Sequence, residues 1–102
     1  MNITNGIISE IVERMGNAFI TVEYGQGEAV RLLVDEGTTI TGQNFSTVTR
    51  FHVPEEARIL NRKGRPMDFS DLMLGMRAQV RHANFMTASI PPQTTAYEVR
   101  VL

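Results

Sequence analysis

Residues 68–80 have the sequence DFSDLMLGMRAQV, which places a short helical turn directly before a strand. Asp68 suits the N-cap of a helix, Asp71 follows three residues later as in a capping box, and Gly75 suits the end of a helix. From Met76 onward, apolar residues alternate with polar ones, as in a strand with one buried face. The stretch therefore predicts one or two helical turns followed by a strand.

The same alternation predicts strands on both sides of this stretch. Before the turn it predicts strands at about 6–15, 18–24 and 28–41, and after the turn at about 76–85 and 95–102. Three strands, a helical turn and two further strands are typical of a small OB-type barrel. The predicted fold class is therefore all-β: an OB-like barrel of about five to seven strands, with one short helical turn between strands three and four.

The first strand departs from simple alternation. Ile7-Ile8 and Ile11-Val12 place apolar residues on both of its faces, so a β-bulge or a strong bend is expected between the two pairs. After this strand, Gly16-Asn17 predicts a tight hairpin turn, because both residues tolerate positive φ. Gly25-Gln26-Gly27 predicts a second hairpin turn.

The last two strands predict which of their residues face the core. Val80, Tyr97 and Val99 are expected to point inward, because each alternates with charged or polar neighbours. Arg81 and Glu98 are expected on the solvated face. Substitutions at these two charged positions should therefore change stability little.

A segment at about 43–66 does not fit the five-strand order, and we interpret it as an insertion in a single domain that spans residues 1–102. Within it, Thr47 to Val53 is rich in β-branched residues and predicts extended structure. Residues 62–66, Arg-Lys-Gly-Arg-Pro, predict a turn. An extra hairpin is therefore expected in the insertion.

The composition is that of an ordinary soluble domain. The chain has 102 residues, of which 42% are hydrophobic and 21% charged. No apolar run is long enough to cross a bilayer and no secretion signal is visible, so we expect a cytoplasmic protein with no membrane partner. The formal net charge of −1 provides no global attraction for phosphates, and the absence of cysteine excludes disulfides and thiolate metal ligands.

Several short stretches carry a resemblance to a known group of proteins. They are the residues at 6–8, 39–40, 71–80 and 96–99, which read GII, TI, DLMLGMRAQV and AYEV. In these stretches the chain resembles small bacterial OB-fold-like domain proteins of unknown function. The resemblance covers most of the chain outside residues 43–66. It implies an OB-like fold and no catalytic residue.

The sequence shows no catalytic constellation. His52 and His82 have no second ligand at helical spacing, and His82 is expected as a hydrogen-bonded structural histidine near the barrel rim. The paired carboxylates Asp35-Glu36 and Glu55-Glu56 lie in predicted turns, where solvated acids are usual. We therefore expect no enzyme activity, no metal site and no cofactor.

Two sets of residues are candidate interaction surfaces. Phe19 and Leu33, outward on neighbouring strands, predict an apolar patch for self-association. A long connection before the last strand, stiffened by Pro91-Pro92, suits the binding of a ligand or a neighbouring subunit. The candidate partner or ligand surface is Phe19, Arg31, Leu33, Ile90, Pro91, Pro92 and Gln93. The candidate basic patch is Arg58, Arg62, Lys63 and Arg65.

These surfaces favour a non-enzymatic binding or assembly module that forms a homo-oligomer or binds a protein partner. The alternative is a single-stranded nucleic-acid-binding OB-fold protein. In that case Phe19 would stack on bases, while Arg31 and the basic patch would contact phosphates. The near-zero net charge favours the first interpretation.

Overall fold

The computed structural model describes residues 2–24, 48–88 and 91–102, and within these ranges nearly all of the regular secondary structure is β-strand. One 3-10 turn, Phe69–Asp71, lies between β4 and β5. The strands are β1 (Asn2–Arg14), β2 (Asn17–Glu23), β3 (Val48–Val53), β4 (Arg58–Leu60), β5 (Arg77–His82) and β6 (Gln93–Val101). The predicted all-β class is confirmed.

Five of the strands close into a barrel in the order β3-β2-β1-β5-β6, because β6 pairs back onto β3. The β3–β6 pairing is parallel, and the other pairings around the barrel are antiparallel. The extra strand, β4, pairs in parallel with the later part of β6. β3 and β4 therefore follow one another along the same edge of β6. The small barrel of the predicted fold class is confirmed.

The first strand serves two neighbours, which explains its length. Residues Asn2–Ile7 pair with β5, and residues Ile7–Arg14 pair with β2. The register with β2 shifts between Ile8 and Glu10. The predicted bulge is therefore confirmed, and it separates the part of β1 that pairs with β5 from most of the part that pairs with β2.

Gly6 lies just before the bulge, where β1 changes partners. A Cβ atom at this position would overlap the backbone of Glu23 and lie 2.6 Å from Val22 Cγ1. The close approach of β2 therefore requires a residue without a side chain.

A two-residue turn joins β1 to β2. Arg14 pairs with Asn17, so the turn consists of Met15 and Gly16. Their φ angles are 53° and 80°, and positive φ at both positions is typical of a type I′ hairpin. The predicted tight turn is confirmed, one residue earlier than Gly16-Asn17.

The barrel core is formed by the inward faces of the strands and is closed partly by residues of the 3-10 region. Val80 and Val99 are fully buried, as predicted. Asp68 and Asp71 form the predicted capping box, Leu72 joins the core, and Phe69 packs against it. The largest fully buried side chains are Phe51, Ile8, Ile20, His82, Val22, Val80, Val99 and Thr49.

The alternation predicted for the last strand is wrong at one position. The register between β5 and β6 shifts, because Arg81 pairs with Glu98 whereas His82 pairs with Ala96. The extra residue is Tyr97, which is exposed, while Ala96 takes the buried position. A bulge thus changes the phase of the strand between Ala96 and Val99.

The region at about 43–66 differs from the expected insertion. Residues 48–53 form β3, which completes the closed barrel by pairing with β2 and β6. Thr49, Phe51 and Val53 are buried, so the alternation marks a barrel strand. β3 and β4 do not form a hairpin with each other; the chain instead reverses after β4, where Leu60 bridges to Pro66. The predicted strand at 28–41 and the hairpin at 25–27 lie outside the described residues.

Candidate binding surfaces

His82 is a buried structural residue, as expected from its phase on β5. His82 is only 1% exposed, and the centroid of its ring lies 5.1 Å from the centroid of the Phe51 ring. Nδ1 lies 3.0 Å from the carbonyl oxygen of Ala83, and Nε2 lies 2.8 Å from Thr4 Oγ1. Because a carbonyl oxygen only accepts, Nδ1 donates to Ala83, and Nε2 forms the second hydrogen bond with the threonine hydroxyl. Both ring nitrogens are thereby satisfied inside the barrel.

His52 lies on the outside of the barrel. It is half-buried, and its ring centroid lies 5.2 Å from that of Phe19 on the neighbouring strand. Among the residues that the structure describes, no group of three or more His, Cys, Asp or Glu side chains could hold a metal ion.

The outer surface of β1, β2 and β3 carries two rows of paired residues. In one row, Val12 pairs with Phe19 and Phe19 pairs with His52, and the rings of Phe19 and His52 are in contact. In the other, Glu10 Oε1 accepts hydrogen bonds from Thr21 Oγ1 at 3.0 Å and from Arg50 Nη2 at 3.1 Å. We name this surface the neutral face, and it consists of Glu10, Val12, Phe19, Thr21, Arg50 and His52.

The connection between β5 and β6 reaches the edge of the neutral face. Thr87 and Gln93 close it, since the Thr87 backbone N–H donates to the Gln93 oxygen at 2.9 Å and the Gln93 N–H donates to Thr87 Oγ1 at 3.0 Å. Next to Gln93, the carbonyl oxygen of Pro92 accepts from the Arg50 N–H at 2.9 Å. Pro91 precedes this contact.

The structure therefore brings together part of the predicted partner surface. Phe19 lies on the neutral face, and Gln93 pairs in register with Arg50 at its edge. Phe19 is half-buried against His52 rather than freely exposed. The remaining predicted members, Arg31, Leu33 and Ile90, lie outside the described residues.

The predicted basic patch consists of exposed residues on β4 and the loop that follows. Asn61 shapes this loop, because its Oδ1 accepts from the backbone N–H groups of Lys63 and Arg65 at 2.9 and 3.0 Å. Gly64 adopts a φ of 82° within the turn. The loop conformation thus depends on an asparagine and a glycine, and the side chains of Arg62, Lys63 and Arg65 are exposed.

Arg58, the first residue of β4, belongs to a row of charges across three strands. It pairs in register with Glu98 on β6, and Glu98 pairs with Arg81 on β5. Glu98 Oε2 lies 3.4 Å from Arg81 Nε, and Oε1 lies 4.0 Å from Arg58 Nε. The carboxylate side chain is only 11% exposed, so the expectation that Glu98 is solvated is wrong. The sheet pairing places it between two guanidinium groups.

Arg100 occupies the next row on β6 and joins this row to the loop. A Cβ atom at Gly64 would lie 3.8 Å from Arg100 Nη2, so the loop lies beside the Arg100 head group. Along β4, β5, β6 and residues 61–65, Glu98 is the only acidic residue in the sequence. We name this surface the basic face, and it consists of Arg58, Arg62, Lys63, Arg65, Arg81 and Arg100.

A third surface is apolar and lies beside the start of β5. Backbone hydrogen bonds hold its segments together: the Gly75 N–H donates to the Ile8 oxygen at 2.8 Å, and the Leu102 N–H donates to the Arg77 oxygen at 2.9 Å. Its four large side chains are exposed by 39% to 65%. We name it the apolar patch, and it consists of Ile7, Met73, Leu74 and Leu102.

Neither the full basic face nor the apolar patch was predicted from the sequence. Arg81 was expected on the solvated face, but only the strand pairing places Arg81 and Arg100 near the predicted basic loop. Exposed Leu74 follows the buried Leu72 closely, and nothing in the local pattern separates the two. Prolonged apolar character after a helical turn is the one signal that could have indicated the patch.

Comparison with known proteins gives no relative: no family model, curated protein or solved structure matches the chain. No helix among the described residues is long and apolar enough to cross a membrane.

Proposed function

We propose that the chain is a non-enzymatic binding module with an OB-type barrel, and that it assembles with a second copy of itself through the apolar patch. The observation that carries this proposal is the exposure of four large hydrophobic side chains on backbone segments that hydrogen bonds join at the start of β5. Monomeric proteins seldom leave such residues clustered in contact with water, because burying them is favourable.

A second copy suits the charges that border the patch. Ile7 pairs with Glu23 on one side and with Arg77 on the other, so charges of opposite sign flank it. In a two-fold symmetric contact, the same patch from each copy meets its counterpart. A two-fold axis that runs parallel to β1 at Ile7 would bring Glu23 of one copy towards Arg77 of the other. The patch is therefore complementary to itself in both hydrophobicity and charge.

Light scattering coupled to size-exclusion chromatography tests this proposal with the substitution Leu74→Glu. The matched control is Met15→Glu, because Met15 is 95% exposed but lies at the β1–β2 turn, outside the patch. We expect the parent protein and Met15→Glu to be larger than a monomer. Leu74→Glu should weaken assembly by about tenfold or more, because it removes apolar burial and places a charge in the contact.

Thermal unfolding of each variant provides the folding control, since both positions are exposed. A monomeric parent protein at the highest attainable concentration would overturn the proposal. The proposal would also be overturned if Leu74→Glu folds like the parent protein and keeps the parent protein's molecular mass in solution.

A further inference from the structure

We infer that the basic face is a second binding surface, which meets the apolar patch where Arg62 Nη2 donates to the Leu102 carbonyl oxygen at 3.4 Å, and that it takes single-stranded nucleic acid. This goes beyond the proposed self-assembly, because it concerns a different surface and a different class of partner.

Charge is the first support for this inference. Among the described residues, the basic face holds six cations, and Glu98 is the one acidic residue on the strands and loop that carry them, flanked by Arg58 and Arg81. The side chains of Arg58 and Arg81 remain 71% and 47% exposed although they flank Glu98. A guanidinium has five N–H donors in a planar fork that matches phosphate geometry. Both arginines therefore keep donors that face solvent.

The arrangement of these cations follows the sheet. Arg81 and Arg58 lie in one row across β5, β6 and β4, and Arg100 lies in the next row beside the basic loop. Cations in neighbouring rows and in the adjacent loop thus form a positive strip on the described part of the chain, although the chain as a whole has a net charge of −1. A strip of this kind can follow a phosphate backbone.

An exposed aromatic side chain is the second, independent support. Tyr97 occupies the bulge on β6, next to the Arg81–Glu98 pair, and its side chain is 48% exposed. The bulge turns this ring out of the core, where regular alternation would have buried it. A flat aromatic surface beside cations suits an unpaired base, which can stack on the ring while its phosphates contact arginines.

This combination favours a single strand over other polyanions. In a duplex the base faces are already stacked on one another, so Tyr97 would have no base to contact. An acidic peptide would satisfy the arginines but would not provide successive planar bases. Single-stranded nucleic acid supplies both phosphates for the arginines and unpaired bases for the Tyr97 ring.

Fluorescence anisotropy with a labelled oligothymidylate of about 20 nucleotides tests the inference, in buffers from about 50 to about 200 mM NaCl. We expect affinity to fall with salt. In the triple variant Arg62→Ala, Lys63→Ala and Arg65→Ala, the slope of log affinity against log salt should decrease by about 2. The variant should keep its loop, because Asn61 and Gly64 shape the turn.

Single substitutions separate charge from stacking. Arg65→Ala should weaken binding, whereas the control Arg14→Ala, an exposed arginine outside the basic face, should not. Tyr97→Ala should weaken binding by about tenfold, while Tyr97→Phe, which keeps the ring, should bind like the parent.

Each result supports or contradicts the inference. No binding at about 50 mM NaCl, or an unchanged affinity and salt slope in the triple variant, would contradict it. Equal affinity for a duplex of the same length, or for polyglutamate, would show a general polyanion surface and would also overturn it. Leu74→Glu should retain oligonucleotide binding, so failure of self-assembly and failure of this inference are distinguishable.

Discussion

The outer surfaces of β1–β3 and of β4–β6 belong to one barrel but differ in how their charges are satisfied. On the neutral face, Glu10 accepts from both Arg50 and Thr21, and Phe19 lies against His52. On the basic face, two arginines flank one nearly buried carboxylate and further cations surround them. One surface pairs its own groups, while the other retains excess positive charge.

This difference shows that net charge does not describe a small barrel well. The value of −1 suggests no affinity for phosphates, yet strand pairing places Arg58, Arg81 and Arg100 near the basic loop, and Glu98 is the one acidic residue on these described strands and this loop. Local charge density determines phosphate binding more directly than the sum over the chain. The candidate surface for anions is therefore the basic face, on the opposite part of the sheet from Phe19.

The largest effect on stability is expected from a substitution at the centre of the basic face. Glu98→Lys replaces the only carboxylate between Arg58 and Arg81 and leaves three cations in one row. Because the site is nearly buried, we expect a loss of about 3 kcal/mol in the free energy of unfolding. Urea denaturation followed by circular dichroism measures this loss.

The matched substitution on the neutral face is Glu10→Lys. The Glu10–Arg50 pair is more exposed, with side-chain exposures of 47% and 34%, so its loss should cost at most about 1 kcal/mol. Equal costs for Glu98→Lys and Glu10→Lys would mean that the two faces do not differ in the way described.

A smaller effect is expected at the strand that borders both faces. Gly6→Ala would place a methyl group against the Glu23 backbone, so we expect a loss of about 2 kcal/mol from strain between β1 and β2. Gly75→Ala is the control, because nothing lies within 4 Å of its Cβ position and only its positive φ opposes a side chain. That substitution should cost about 1 kcal/mol, and a larger cost than at Gly6 would contradict the close approach.

Local sequence patterns predicted the fold where one face of a strand is buried. Alternation placed Val80 and Val99 in the core, and the doubled apolar pairs around Ser9 indicated the bulge in β1. The same rule failed at Tyr97, because a bulge changes the phase without any distinctive residue. Bulges that depend on pairing between distant strands are not visible in local alternation.

The candidate surfaces could be predicted less well than the fold. The basic loop was visible as a run of charges, but its continuation through Arg81 and Arg100 depends on which strands are neighbours. Similarly, Glu98 resembles a solvated residue in the sequence and becomes nearly buried only because β4 pairs with β6. These surfaces depend on which distant strands pair with each other, and local periodicity does not predict that pairing.

An amide chemical-shift map of the isotope-labelled protein with unlabelled oligothymidylate is the most direct test of the central claim that the two faces differ in function. We predict that added oligonucleotide shifts the amides of Arg58, Arg81 and Tyr97 and leaves those of Phe19 and His52 unchanged. Shifts centred on Phe19 and His52, with the amides of β4–β6 unmoved, would contradict the account.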